Sequence, residues 1–80
     1  MRLDKFLKVS RLIKRRTVAA AACSAGRVEL NGKVTKAGAT VSVGDIINIH
    51  FGERATKIEV LLVKETVHKE EAAMMYKIAD

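Results

Sequence analysis

Leu3, Phe6 and Leu7 fall at i, i+3 and i+4, the spacing of one apolar stripe on a helix, so residues 2–10 (RLDKFLKVS) predict a first helix. Asp4 and Lys8 stand four apart in acid-before-base order, which favours an ion pair along that helix. Basic residues then recur every third position as far as Lys14, a spacing that drifts about 60° per step on an unbroken helix. A break near Ser10 removes the mismatch and leaves residues 11–16 as a turn or ordered loop. Thr17 suits an N-cap and Gly26 a C′ residue, so a second helix is expected over about 18–25. Its alanines contribute little side-chain area, so it is stable only if packed closely, and a bulky residue at Ala21 or Ala22 should disturb the fold.

After Gly26 the period switches to alternation. Val28 and Leu30 share a face, and Asn31-Gly32 follows, a hairpin signal because both residues tolerate positive φ. Val41 and Val43, a Gly44-Asp45 turn, then Ile47, Ile49 and Phe51 continue the strand pattern, with Phe6 and Phe51 assigned to the core. GERAT (52–56) reads as a loop, and Ile58, Val60 and Leu62 as one face of a final strand. From Thr66, another N-cap type, the tail reads as a last helix with Glu70 and Glu71 early and Lys77 late, matching the helix macrodipole, and anchored by Met74, Met75 and Tyr76. The expected class is α+β: two helices, four to five short strands and a short C-terminal helix, divided as a domain over 1–64 and a helical tail over 65–80.

Eighty residues make one domain that buries only roughly 60–65% of the surface of its unfolded chain. A single cysteine excludes an internal disulfide, and with no secretory signal the expectation is a reducing cytosol. The longest apolar run, 18–23, falls far short of the roughly 20 residues of a membrane span. Charge changes the picture most. Arg2, Lys5, Lys8, Arg11, Lys14, Arg15 and Arg16 face one acid, Asp4, within the first 16 residues, whereas residues 17–80 hold eight of each sign. The whole excess of +6 therefore sits at one end, the electrostatic footprint of a polyanion-binding segment. Four of those seven cations are arginines, the better fork for phosphate. An organelle transit peptide shares the composition, but removing this segment would discard Leu3, Phe6, Leu7, Leu12 and Ile13 from a thin core. A basic helix on anionic lipid is the remaining alternative.

Catalytic chemistry finds no support. The five glycines are dispersed, and Cys23 among alanines reads as a small buried hydrophobe. His50 and His68 have no ligand-like spacing to each other or to Cys23, and the acids form no general acid/base pair. No catalytic residue, metal or cofactor is expected. A DNA-reading helix-turn-helix is disfavoured because VAAAACSA carries no side chain that reads a base. Cations beside a close-packed helical pair suit phosphate and shape recognition of folded RNA.

Five motifs in order, RLDKFL, Ser10-Arg11, RRT-x-A over 15–19, AGRVELNGK over 25–33 and VSVGDIINI over 41–49, resemble the S-four RNA-binding domain, named after a small-subunit ribosomal protein. The resemblance implies two N-terminal helices on a small, strongly bent sheet, with the helices and their connecting loop facing structured RNA. By position it assigns Arg2, Lys5, Arg11, Arg15, Arg16 and Thr17 to RNA, with Lys8 and Lys14 flanking and Asn31, Gly32 and Lys33 at an adjoining hairpin edge. Among free-standing members the chain is most similar to the heat-shock-protein-fifteen family and its ribosome quality-control branch. That implies a cytoplasmic factor, monomeric off the ribosome, on an obstructed large subunit. Its partners would be rRNA, peptidyl-tRNA and a factor directing untemplated tailing, with no membrane.

Overall fold

A computed structural model describes residues 1–79. In chain order the elements are α1 (Leu3–Val9), α2 (Arg16–Ser24), β1 (Val28–Leu30), β2 (Lys33–Val34), β3 (Ile46–Phe51), β4 (Arg54–Val60), α3 (Lys69–Ala72) and β5 (Tyr76–Ile78). The strands form one antiparallel sheet in the order β2-β1-β3-β4-β5. Alternation buries Ile47 and Ile49 of β3 and Ile58 and Val60 of β4, which join Leu3, Phe6 and Leu7 of α1 and Ala19 and Cys23 of α2 in a single core. This is the expected α+β architecture.

Both ends of α1 are fixed by backbone, and this is what sets the basic segment in place. With no side-chain N-cap, the first amides of α1 find other acceptors: Leu3 N–H donates to Ala39 O (2.8 Å), Asp4 N–H to Ala37 O (3.1 Å) and Lys5 N–H to Asp4 Oδ1 (2.8 Å). Val41 N–H in turn donates to Met1 O, and Arg2 bridges Thr40, so residues 37–41 clasp the helix start. At the other end α1 stops at Ser10, where the charge spacing required a break. Arg11 takes the left-handed conformation (φ 64°) usually given to glycine, and its N–H donates to Lys8 O.

Several boundaries differ from the sequence pattern for identifiable reasons. Helix α2 starts two residues earlier, with Arg15 extended at the N-cap and Thr17 inside the helix without a capping bond. Ala19, completely buried, is the tight alanine of α2; Ala22 is half-buried against the core and Ala21 is exposed. Asn31 (φ 52°) and Gly32 (φ 84°) make the expected two-residue turn. Residues 41–43 do not form a strand, because Val41 is bonded to Met1 while Val43 points to solvent. GERAT is not a loop: Gly52-Glu53 alone turns, and Arg54, Ala55 and Thr56 pair with Phe51, His50 and Ile49. Phe51 keeps the phase of Ile47 and Ile49 but lies at the hairpin tip beyond the core, 47% exposed.

The tail departs most. Its helix is one turn, α3, with His68 rather than Thr66 at the N-cap and a reciprocal bond to Glu71. Leu61 and Leu62 N–H both donate to Met75 O, which places Met75 in the core and leaves Met74 exposed. Residues 76–78 then extend along β4 instead of continuing the helix, and they cover an edge that would otherwise present unpaired backbone groups. A four-residue helix has little intrinsic stability to set against that pairing.

Candidate nucleic-acid interface

Because α1 is short and its C-terminal end turns sharply at Arg11, the segment 11–15 folds back beside the helix instead of extending it. The result is an open groove of about 850 Å³ with Lys5, Lys8, Arg11, Lys14 and Arg16 along one wall and Glu65, Thr66 and Val67 along the other. Five of the seven expected N-terminal cations thus share one concavity. Lys8, Arg11, Lys14 and Arg15 make no ion pair among the described residues. Unpaired like charges at this density repel one another, and their field favours a polyanion in the groove.

Two of the cations are held from beneath. The Asp4 carboxylate is buried (4% exposed), with Arg2 Nε 3.2 Å from Oδ1 and Arg16 Nε 3.4 Å from Oδ2. Burial alone would raise its pKa, but the Arg2 and Arg16 guanidiniums and the Lys5 amide outweigh that and hold the carboxyl below its ordinary value. The expected Asp4–Lys8 pair does not form among the described residues; Asp4 instead ties the start of α1 to the start of α2. Arg2 also lies near Gly38, where a side-chain Cβ would come within 3.8 Å of its guanidinium. Asp4 as an orienting group was missed, although it stands three before Leu7 and so shares the buried stripe.

The remaining sequence-predicted residues sit outside the groove lining. Arg15 and Thr17 are exposed at the start of α2, beside the groove's Arg16. Lys33 is exposed on the edge strand β2. The Asn31 amide is engaged internally, accepting from Ile46 N–H (2.9 Å) and facing Asp45 Oδ1 (3.2 Å), and it borders a separate, shallower depression with Glu29, Asn48 and Lys57. Cys23 is buried with its pKa raised by burial and by the nearby Asp4 charge, the state of an inert thiol.

A cationic groove beside two short N-terminal helices and a five-stranded antiparallel sheet is the arrangement of an RNA-binding domain of the S-four class. The S4 domain matches residues 1–47, and the chain belongs to that family. It is 56% identical over 78 residues to the RQC P-site tRNA stabilizing factor of Halalkalibacterium halodurans, covering 98% of this chain and 89% of that one. It is 51% identical over 78 residues to the protein of that name from Bacillus subtilis, covering 98% and 91%. The structure of Vibrio cholerae heat shock protein 15, described as trimeric, superposes with a TM-score of 0.90 at 28% identity, covering 99% of this chain and 81% of that one. Glu65 and the second wall of the groove lie beyond the matched S4 span.

Proposed function

We propose that the chain is a non-catalytic RNA-binding factor of ribosome-associated quality control that stabilises tRNA in the P site. It acts on stalled large subunits, touching rRNA and peptidyl-tRNA while a partner factor adds the untemplated tail, and it is cytoplasmic and monomeric away from the ribosome. The observation that carries this reading is the groove: five cations, of which Lys8, Arg11 and Lys14 have no ion-pair partner among the described residues, held on backbone clasped at both ends, present charge at fixed positions as recognition of a folded RNA requires. The names of its relatives supply the kind of RNA. The contact set is Arg2, Lys5, Lys8, Arg11, Lys14, Arg15 and Arg16 with Thr17 at the helix start, and Asn31 and Lys33 at the hairpin edge.

Cosedimentation of the tagged protein through sucrose gradients, with sequencing of the bound RNA, tests the proposal. Recovery with free large subunits carrying peptidyl-tRNA is the expected result. A spread over many unrelated RNAs supports instead a general RNA chaperone or assembly factor, the second reading open to a phosphate-dominated surface.

A further inference from the structure

The second wall of the groove is formed by the segment between β4 and α3, and that segment brings an acid into the cationic field. Among the described residues Glu65 is the one acid lining the groove, and its carboxylate accepts a hydrogen bond from Lys5 Nζ. The bond to Lys5, with the N-terminal amine and Arg16 beyond it, keeps Glu65 below the ordinary carboxylate range. The segment is not a loose tail. Leu62, Val63 and Val67 pack against the core, Leu61 and Leu62 N–H are bonded to Met75 O, and Lys64 Nζ pairs with Glu71 Oε2 at 2.7 Å. It therefore holds a carboxylate over the cation most deeply set in the wall of α1.

We infer that Glu65 is an internal occupant of a phosphate position, so that an RNA phosphate must displace it from Lys5 to seat fully in the groove. An ammonium offers compact, rotatable donors that serve a carboxylate or a phosphate oxygen alike, so the exchange needs no rearrangement of Lys5. Glu65 is 70% exposed on its side chain, and pairs this open to water are weak. A well-fitted RNA that engages the other cations together overcomes such a contact, whereas a short or poorly fitted polyanion gains less and is turned away. The strap thus raises selectivity for structured RNA. This rests on the RNA-binding reading of the groove.

The test uses the full chain, a single-stranded polyuridylate probe and fluorescence anisotropy between about 50 and about 200 mM salt. Because Glu65 already neutralises Lys5, Glu65→Gln frees one cation for phosphate. Affinity should rise about two- to five-fold, as expected for release of an exposed pair. The slope of log affinity against log salt should steepen by about 0.7. Glu65→Ala should behave alike, since the exposed side chain supports no packing. The gain should vanish in a Lys5→Gln background and be absent for Glu53→Gln, which makes the same charge change in the β3–β4 turn. Unchanged binding by both Glu65 variants, a gain that survives Lys5→Gln, or an equal gain from Glu53→Gln overturns the inference. If the unsubstituted chain binds neither this probe nor ribosomal RNA at low salt, the RNA-binding reading itself fails.

Discussion

At Asp4 two effects on RNA binding oppose each other. Its negative charge weakens the field of the groove, yet its carboxylate fixes the guanidiniums of Arg2 and Arg16, which are otherwise half-exposed long side chains. Freeing two such side chains costs about 0.5–1.5 kcal/mol each when they must be reordered on binding, while an added charge at the surface is screened by salt. Orientation therefore wins, and Asp4→Asn should weaken RNA binding roughly ten-fold despite raising the net charge. An increase in affinity on this substitution would show that the field dominates. The same group shapes acid stability. Its pKa is depressed in the folded state, so the unfolded chain binds the proton more tightly, and the stabilisation present above about pH 4 is lost as pH falls through the folded value. Urea unfolding between pH 6 and pH 2 should show an acid limb that flattens in Asp4→Asn. In the sequence Asp4 was visible as the lone acid of a basic segment, but helical spacing pointed it at Lys8. Its true partners come from the end of the preceding extended residue and from a second helix, a contact that only the packing of α1 on α2 creates.

Among the elements, the turn between α1 and α2 carries the clearest conflict between stability and use. A non-glycine residue in the left-handed region is strained by roughly 1 kcal/mol, and Arg11 sits there with its side chain lining the groove. Arg11→Gly should therefore stabilise the fold by about 0.5–1 kcal/mol in urea denaturation while weakening RNA affinity several-fold. A variant that is less stable would mean that the side chain, not the backbone, holds the turn. In α2 the distinction between alanines can be checked the same way: Ala19→Leu overfills a fully buried site and should cost about 1–3 kcal/mol, whereas Ala21→Leu on the exposed side should stay within about 0.5 kcal/mol. Sequence periodicity located both N-terminal helices, the Asn31-Gly32 turn and the buried faces of β3 and β4, because each is a local pattern. It misjudged the tail, where EEAAMMYK favours helix locally and the unpaired edge of β4 imposes a strand over 76–78. It also missed the clasp at residues 37–41, whose two bonds to the start of α1 are made by backbone carbonyls and leave no trace in side-chain type.

For the whole molecule, the partition of charge was the most legible feature, since +6 within the first 16 residues can be counted without a structure. Geometry adds which of those charges act together. If Lys5, Lys8, Arg11, Lys14 and Arg16 contact phosphates as a set, each should contribute separately to the ions released on binding, whereas bulk attraction to a basic protein would respond only to net charge. Arg16→Ala and Lys77→Ala remove the same charge from different places, one in the groove and one at the far edge of the sheet. Arg16→Ala should lower affinity for large-subunit RNA and reduce the salt slope by about 1. Lys77→Ala should change neither beyond the small effect of a screened distant charge. Lys77→Ala should leave thermal unfolding close to that of the unsubstituted chain, whereas Arg16→Ala also removes one of the two guanidiniums on the buried Asp4 and should lower it somewhat; circular dichroism at the assay temperature checks that both variants are folded, and the difference between the two slopes then reads the groove. Equal slopes for the two variants would reduce the groove to an unspecific basic surface and favour the chaperone reading.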